Sequence, residues 1–510
     1  MASYPPIIDD AERQRLEQVV KDWTIANGLA VRPPVPVTSA VASTEAELAP
    51  TLAMPVPVTL FPSAFPKSCF EEAQSLLSAY NKLYMNISND EEFLGQIVAE
   101  VAGGDEFTAK LWEVHQRVKK DGYVQKHSLG IFRSDYLVHQ ETTADGKPHL
   151  QIKQVEFNTI AASFGGLSER TSKLHKFLAA TEFPLLQSPQ ASYDLPHNES
   201  SRELGASIQD AFEVYSRTEP STNGFPRCVI ILTQDGERNV FDQRHIEYAV
   251  DAPVFRVPFS EALQHTTVAD NPKRELLYHH LGRTTFEVAV VYMRCGYDPS
   301  DYPTETAWEA RYQVERSNAI KCPTVLTQVA GCKKVQQVLA TPFTPSDDPN
   351  EKSVLTRFVD SSDEAGLRRT FTNIFPLDNS PSGLEARKLA LDPVACRKFV
   401  LKPQREGGGN NYYKDKIPAH LATVPEEHWA SYILMELIEP PPVSNLILRN
   451  GQVEQGGVIC ELGIYSTCIW AGKDSLRNES AGYLLRTKGD QSEEGGVAAG
   501  FGSMDSVNLV

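Results

Sequence analysis

The sequence predicts a mixed α/β protein: antiparallel sheets and helices form its main body, and a small parallel α/β unit is inserted into it. Paired segments with alternating apolar and polar residues flank short turns, as in antiparallel hairpins. Two continuous apolar segments each lead through a polar turn into a helix, which is typical of a buried parallel sheet. The length of 510 residues exceeds one ordinary core, so we expect two or more lobes, one of them built from non-adjacent segments.

Composition and charge exclude several classes of protein. Hydrophobic residues make up 41% of the chain and charged residues 23%, as in ordinary globular proteins. The net charge of −17 and the lack of a long basic block argue against binding of nucleic-acid backbones. The eight cysteines are scattered singly without zinc-site spacing, and we expect reduced thiols. No targeting signal or membrane-spanning run is apparent, which predicts a soluble, cytoplasmic protein.

The first part of the chain is predicted to be mainly helical. A helix is expected from about Asp10 to Ile25, with Asp9 or Asp10 as its cap. The proline-rich segment 31–66 is either a flexible linker or an extended segment laid over the body. Residues 70–120 have apolar positions at helical spacing.

A β-hairpin is predicted next. The strands "LGIFRSDYLVH" and "HLQIKQVEFNTI" flank a turn at Asp145-Gly146. Gln154, Glu156 and Asn158 are two apart on the second strand and should share one face. The following "ASFGGLSERTSKLHKFL" is a small-residue turn leading into a helix, whose N-terminus suits an anion.

The parallel α/β unit is predicted from residue 225 onward. Its strands lie in "RCVIILTQDGERNV" and "FEVAVVYMRCGYDP". Because open sheets bind ligands beyond the carboxyl ends of their strands, the residues there are candidates for a site. They are Glu237, Arg238, Asn239 and Arg294.

The segment "VLKPQREGGGNNYY" has the strongest chemical signal. A short strand ends at Lys402 and leads into three glycines, whose backbone N–H groups suit a phosphate chain. Lys402 and Arg405 supply positive charge, whereas Glu406 would repel phosphates unless a divalent cation lay between them. A plain mobile turn is the alternative. An antiparallel sheet is expected around this loop, with a hairpin turn at Asn450-Gly451.

Other parts of the chain could complete such a site. Glu156, Asn158 and Glu406 have the oxygen ligands that Mg²⁺ prefers, although the first two alone would more simply be a solvated strand face. Arg486 and Lys488 share one face of a strand before a second glycine-rich loop; the alternative is a charged edge with a mobile tail. Walker, Rossmann and serine-hydrolase motifs are absent from the sequence.

A strand-borne lysine, a glycine-rich loop with a carboxylate and surrounding antiparallel strands are typical of ATP-grasp nucleotide sites. The blocks "FRSDY", "VEFNTIAASFGGL", "FDQR", "AGCKKVQQ", "FVLKPQREGGGNNYY", "SYILMELIEP", "ELGIYS", "LLRTK" and "GGVAAG" run in order from residue 132 to 500. With them the sequence resembles the eukaryotic glutathione synthetase family. The resemblance implies an ATP-grasp-type fold with an inserted parallel α/β substrate-binding domain at 225–340. The main body then comprises 1–224 and 341–510, the latter with glycine-rich and alanine-rich lid loops.

The resemblance also implies site residues. Magnesium ligands are Glu156, Asn158 and Glu406, and the catalytic residues are Lys333, Lys402 and Arg486. Contacts to the nucleotide and its metal are implied for Glu156, Lys333, Lys402, Glu406, Gly407, Gly408, Gly409, Asn410, Asn411, Tyr413, Met435, Glu436, Leu437, Ile438, Glu461, Lys488 and Glu494. Contacts to the peptide substrate are implied for Arg133, Ile160, Ala161, Ala162, Ser163, Glu237, Arg238, Asn239, Gln243, Arg294, Cys295, Gly296, Tyr297, Arg486, Val497 and Ala498.

By the same resemblance, ATP phosphorylates γ-glutamylcysteine, glycine attacks the acyl phosphate to give glutathione, and ADP and phosphate are released. The implied protein is a cytoplasmic homodimer that uses Mg²⁺. Two alternatives stay open: a ligase of this fold that joins another small amino acid, and a nucleotide-binding regulatory protein without turnover.

Overall fold

A computed structural model describes residues 4–34, 51–143, 145–181, 193–341, 353–492, 497 and 502–510. Within them, the α-helices are α1 (Asp10–Ala26), α2 (Lys67–Ser75), α3 (Leu77–Ser88), α4 (Glu91–Val101), α5 (Glu106–Asp121), α6 (Gly165–Thr181), α7 (Ser200–Thr218), α8 (Val240–Glu247), α9 (Ala262–His265), α10 (Glu305–Glu315), α11 (Val325–Ala330), α12 (Lys333–Ala340), α13 (Ser361–Thr370), α14 (Pro381–Leu391) and α15 (Lys416–Leu421).

The strands of the same residues are β1 (Ala30–Val31), β2 (Met54–Pro55), β3 (Val58–Thr59), β4 (Ser63–Phe65), β5 (Ser128–Thr142), β6 (Pro148–Asn158), β7 (Arg227–Thr233), β8 (Val254–Pro258), β9 (Thr266–Val268), β10 (Leu276–His280), β11 (Thr284–Met293), β12 (Ile320–Cys322), β13 (Ile374–Pro376), β14 (Phe399–Pro403), β15 (Tyr412–Tyr413), β16 (Tyr432–Glu436), β17 (Val443–Arg449), β18 (Gln452–Ala471), β19 (Asp474–Gly489), β20 (Ser503–Asp505) and β21 (Val507–Leu509). The predicted mixed α/β class is confirmed.

The largest sheet has the strand order β17-β3-β20-β19-β18-β5-β6, and β17 also pairs with β18. Five of its strands therefore close into a ring, from which the β5–β6 hairpin extends. The sheet separates two hydrophobic clusters: Phe132 and Tyr136 of β5 belong to one, and Leu129 and Ile131 belong to the other. The predicted turn at Asn450-Gly451 joins β17 to β18, and both residues have positive φ, 49° and 79°.

One prediction for the β5–β6 hairpin is wrong, because the second strand contains a bulge. The register passes from Asp135 opposite Glu156 directly to Tyr136 opposite Gln154, so Val155 is an extra residue. Gln154 therefore turns to the other face, where its amide donates to Ser134 Oγ at 2.9 Å. Glu156 and Asn158 do share a face, as expected.

The sheet of the α/β unit is mixed rather than purely parallel. Strands β8, β7, β11 and β12 are parallel, but β10 and β9 extend the sheet in antiparallel pairing. The difference arises because β10 and β11 form a hairpin along the first half of β11, and β12 pairs with its second half. The carboxyl ends of β7 and β11 lead to Gln234 and Arg294, respectively.

The glycine-rich segment connects two strands of a small antiparallel sheet with the order β13-β16-β14-β15. Lys402 lies near the end of β14, as the sequence predicts, and Tyr413 lies in β15. The predicted Asn450-Gly451 hairpin belongs to the large sheet instead, so two sheets flank the loop.

Helix α1 begins after Asp9, which caps it by accepting from Glu12 N, and ends one residue beyond the prediction. The described part of the proline-rich segment is extended: β2 pairs with β1, and β3 is a strand of the large sheet. Its residues 35–50 lie outside the described residues.

All eight cysteines are free thiols, and only Cys332 is not fully buried. None of the described helices is both long and apolar enough to span a bilayer.

Candidate active site

Two adjoining cavities lie where the large sheet, the small sheet and the α/β unit meet. Their volumes are about 760 and 260 Å³, and the larger is in the range of small-molecule sites. The two cavities share the wall residues Val155, Lys402, Tyr413, Glu461, Arg486 and Lys488. A long ligand could therefore occupy both.

The smaller cavity carries an excess of positive charge. Its described lining includes six basic side chains and three acidic ones. The basic residues are Arg133, Lys333, Lys402, Arg405, Arg486 and Lys488, and the acidic residues are Glu156, Glu406 and Glu461. Such a wall suits a ligand that carries several negative charges.

Lys333 joins the two glutamates from opposite sides of the site. Its Nζ lies 2.8 Å from Glu156 Oε2 and 3.0 Å from Glu406 Oε1. Burial disfavours the charged form of Lys333, but the two carboxylates more than offset this and raise its pKa. Burial also opposes ionisation of Glu156, yet Lys333 and Lys402 lower its pKa. For Glu406 burial prevails and raises the pKa, with Glu156 adding to the effect.

Lys402 is a buried amine that faces both a backbone carbonyl and the glutamates of the site. Its Nζ donates to Val155 O at 3.1 Å, and the residue is only 5% exposed. Burial lowers its pKa to about 8, although Glu156 opposes the shift. A negatively charged ligand in the shared part of the two cavities would stabilise the charged form.

A second group of charges surrounds Asp135. Its carboxylate accepts two hydrogen bonds from Arg133, at 2.6 and 2.7 Å, and one from Arg486 at 3.0 Å. Arg486 also pairs with Glu461. Asn158 Nδ2 donates to Arg133 O and to Asp135 Oδ2, which leaves its amide oxygen as the atom able to bind a cation.

The glycine loop adopts the conformation for which its glycines are suited. Gly407, Gly408 and Gly409 have φ of 94°, 73° and 79°, a region that other residues rarely adopt. A Cβ on Gly407 would lie 3.4 Å from the Tyr297 ring, so the loop passes close to the α/β unit. Arg405 pairs with Asp105, and its charge is therefore partly neutralised rather than free for a ligand.

The helix N-terminus expected to bind an anion is occupied by the protein itself. Asp242 of α8 accepts hydrogen bonds from the N–H groups of Phe164, Gly166 and Leu167, at 2.8, 2.7 and 3.2 Å. Asp242 is fully buried, so no external anion has access to these donors. The expectation that α6 binds an anion ligand is therefore wrong.

Most, but not all, of the predicted residues line the two cavities. The described ones that do are Arg133, Glu156, Asn158, Ile160, Ala161, Ala162, Ser163, Tyr297, Lys333, Lys402, Glu406, Gly407, Gly408, Asn410, Asn411, Tyr413, Met435, Glu436, Leu437, Ile438, Glu461, Arg486, Lys488 and Val497. Glu494 and Ala498 lie outside the described residues.

The remaining predicted residues do not appear in either wall: Glu237, Arg238, Asn239, Gln243, Arg294, Cys295, Gly296 and Gly409. Arg294 lies behind the wall, where it donates to Ala162 O and Ser163 Oγ at 2.8 Å each. Glu237 accepts from Asn239 N and Gln243 Nε2. Arg238 points elsewhere and donates to Arg32 O.

Sequence reasoning missed Asp135 and Asp242, although both stand in the quoted blocks "FRSDY" and "FDQR". A signal existed for Asp135, since it is two residues from Arg133 and must share its strand face. None existed for Asp242, whose backbone partners are more than 70 residues away in sequence.

Comparisons with known proteins identify the family to which the chain belongs. Residues 10–509 match the family described as eukaryotic glutathione synthase, ATP binding domain. The chain is 39% identical over 476 residues to the glutathione synthetase large chain of Schizosaccharomyces pombe, covering 90% of this chain and 92% of that protein. It is 37% identical over 508 residues to the glutathione synthetase of Homo sapiens, covering 97% of each.

A solved structure shares the fold at lower sequence similarity. It is a glutathione synthetase-like effector from Globodera pallida in its apo form, with a TM-score of 0.73 over the whole of both chains and 19% identity. Together with the family match, the two relatives above determine where the protein belongs. The chain is a member of the eukaryotic glutathione synthetase family.

Proposed function

We propose that this protein is an ATP-dependent ligase that joins γ-glutamylcysteine and glycine to make glutathione through an acyl-phosphate intermediate. The observation that carries the proposal is the meeting of Glu156, Glu406 and Lys333 in the smaller cavity, together with Lys402, which also lines the larger one. Paired carboxylates in a wall with excess positive charge suit a phosphate chain together with a cation. The names of the relatives supply the product, glutathione, and the family resemblance implies the two substrates.

The larger cavity is the proposed ATP site. The Met435–Ile438 segment, with Val155 and Val400, gives it an apolar section suited to a base, and Glu461 and Lys488 lie in its polar section. Lys402 lies where the cavities join and would hold the phosphates. The smaller cavity would take the end of the phosphate chain with its cation, at Glu156, Lys333 and Glu406. It would also take the peptide, with Arg133, Ser163 and Tyr297 in its wall.

The residues around Lys333 fit magnesium. Two carboxylates and the Asn158 amide oxygen are hard donors, and Mg²⁺ commonly uses one or two carboxylates together with phosphate and water. In the described residues, no group of three or more His, Cys, Asp and Glu side chains could hold a metal ion. A cation that shares its ligands between protein and phosphates is consistent with that. When bound, it would neutralise the phosphate oxygens.

The protein side chains would act by positioning and by charge. Lys402 and Lys333 stabilise the negative charge that moves onto the leaving ADP as the peptide carboxylate is phosphorylated. Arg486 stabilises the tetrahedral intermediate formed when the glycine amine attacks, before phosphate leaves. Closure of the glycine loop would keep water from the acyl phosphate. No protein nucleophile takes part.

Some of the predicted peptide-binding residues do not line the cavities. Arg294 holds the backbone of the 160–163 segment, and Glu237 holds Asn239 and Gln243 beside it. Substrate-induced closure could bring these groups into contact with the peptide.

The family likeness alone supports two further proposals, a homodimer and a cytoplasmic location. Sedimentation analysis and imaging of a tagged protein would test them.

The proposed division into 1–224, 225–340 and 341–510 is supported by the sheet topology. All strands of the mixed α/β sheet lie between Arg227 and Cys322, whereas the large sheet draws strands from both ends of the chain. Expression of 225–340 alone, with its thermal unfolding followed by circular dichroism, would test whether it folds independently.

The central test is ADP release with Mg²⁺, ATP, γ-glutamylcysteine and glycine, with the peptide product identified by mass spectrometry. We expect glycine-dependent turnover that Glu406→Ala lowers by about 100-fold or more, since a ligand of the cation at the phosphates is lost. Glu427→Ala makes the same exchange at an exposed position and is the matched control.

Each alternative gives a different result. Faster turnover with β-alanine or serine than with glycine would indicate another acceptor. Binding of ATP without turnover on any amino acid would indicate a regulatory protein and overturn the proposal.

A further inference from the structure

We propose that Asp135 is a positioning residue that holds the peptide-binding, catalytic and metal-binding side chains in one arrangement. The inference rests on the proposed function and extends it to a residue that would touch neither substrate nor metal. Asp135 is fully buried and does not line either cavity.

All four hydrogen bonds to the Asp135 carboxylate come from site residues. Oδ1 accepts from Arg133 Nε at 2.6 Å. Oδ2 accepts from Arg133 Nη2 at 2.7 Å, from Asn158 Nδ2 at 3.0 Å and from Arg486 Nη2 at 3.0 Å. One carboxylate therefore orients a residue from each of three strands, β5, β6 and β19.

The contacts determine how each partner can act. The bidentate pair directs the Arg133 guanidinium, whose Nη1 donates to Ser163 O at 3.0 Å. The bond to Asn158 occupies its amide nitrogen and leaves the oxygen for a cation. Arg486 lies between Asp135 and Glu461, so its position depends on both carboxylates.

The neighbouring strand leaves space for this group at Gly463, which pairs with Asp135. A Cβ built on Gly463 would lie 2.7 Å from Arg133 Cδ and 2.8 Å from Asp135 Oδ1. Both contacts are shorter than packed atoms tolerate, so even alanine would displace the pair. Gly463 thus offers a second way to disturb the same arrangement without changing a charged residue.

The experiment compares wild type with Asp135→Asn, Asp135→Glu and Gly463→Ala in steady-state turnover. An asparagine keeps the volume but replaces one acceptor oxygen with an N–H₂ group that faces a guanidinium. We expect kcat/KM for γ-glutamylcysteine to fall by about 100-fold, the loss typical of a displaced catalytic geometry. The half-saturating Mg²⁺ concentration should rise as well, whereas the dissociation constant of ATP should change by less than about threefold.

Two of the variants distinguish the position of the Asp135 carboxylate from its charge. Asp135→Glu keeps the charge and should recover part of the lost activity. Gly463→Ala should raise KM for the peptide and lower kcat in the same direction as Asp135→Asn. Gly456→Ala, on the same strand with open space around its Cβ, should behave as wild type.

A purely structural role predicts something else. Asp505 is a buried carboxylate of the same sheet that accepts from Ser63 and Thr487, and Asp505→Asn is the matched control for lost stability. The inference would be wrong if Asp135→Asn, like Asp505→Asn, lowered only the active fraction of the protein. KM, the Mg²⁺ requirement and kcat per active site would then match those of wild type. If Asp135→Asn did not fold, Gly463→Ala with unchanged kinetics would overturn it equally. An inactive wild type would instead refute the proposed function.

Discussion

At Lys333, a single ammonium group pairs with two carboxylates that come from distant parts of the chain. Replacing it with methionine leaves Glu156 and Glu406 buried side by side without their shared cation. We expect a loss of about 3–5 kcal/mol in the free energy of unfolding without ligand. We also expect at least about a 100-fold fall in kcat. Chemical denaturation and steady-state kinetics measure the two effects.

The adjacent Lys334 provides the control for this prediction. It is also buried and pairs with Glu100 at 2.8 Å, but it lines neither cavity. Lys334→Met should lower the free energy of unfolding by less, because Glu100 is exposed and stays hydrated, and should leave kcat per folded molecule close to wild type. Equal losses of kcat in both variants would show that Lys333 acts only through stability.

His175 makes the stability of the fold dependent on pH. It is fully buried, with Nε2 against Thr59 O at 2.9 Å and Nδ1 against Ser506 Oγ. Burial lowers its pKa to about 4, although the bond to Thr59 opposes the shift. Between pH 6.5 and 4 the unfolded state therefore binds more protons than the folded state, so acidification destabilises the protein.

This contribution can be isolated with His175→Gln. Between pH 7 and 4.5 the histidine should remove about 2–3 kcal/mol from the free energy of unfolding of wild type. The variant lacks that part of the pH dependence, whatever its stability at pH 7. Urea unfolding at both pH values measures the difference, and parallel pH dependences for the two proteins would contradict the prediction.

Among the elements, the glycine loop is where backbone conformation should matter most for activity. Gly408 has φ of 73° and open space around its Cβ position, so alanine there meets no atom but must adopt a strained conformation. The strain is about 1 kcal/mol. We expect Gly408→Ala to raise KM for ATP and lower kcat, with little change in melting temperature, because the loop can relax away from the site.

Gly451 is a matched control, with φ of 79°, open space and a position in a remote hairpin turn. Gly451→Ala should carry the same backbone penalty without an effect on turnover. Calorimetry and kinetics on both variants separate strain at the site from strain in general, and identical kinetics would contradict a special role for the loop.

Sequence patterns predicted the elements well where local rules decide them. Helix α1, the β5–β6 and β17–β18 hairpins and the strand before the glycines all follow from spacing, caps and turn residues. The errors have a different cause. The bulge at Val155 and the Asp242 cap on α6 depend on contacts with other segments, which no local pattern contains. The same limit explains why the sequence predicts Arg405 as a source of positive charge for a phosphate chain, whereas it pairs with Asp105.

For the molecule as a whole, the large sheet depends on the last described residues of the chain. Strand β20 pairs with β19 and β3, and Asp505 accepts from Ser63 and Thr487. Removal of residues 503–510 opens the ring and exposes the buried residues beneath it. We expect no cooperative thermal transition and no near-ultraviolet circular dichroism signal.

Removal of Val510 alone, whose side chain is 69% exposed, is the control and should retain both signals. A native melting temperature in the longer truncation would show that the ring is not required for folding.

The ring also has a consequence for protein synthesis. Val58 lies near the start of the chain, and its partner Met504 lies near the last described residue. At about 5–20 residues per second, the ribosome needs on the order of tens of seconds to produce the second after the first. During that interval the ring cannot close, and the apolar residues that it buries stay accessible to other chains. We therefore expect chaperones that protect the nascent chain to raise the yield of active protein.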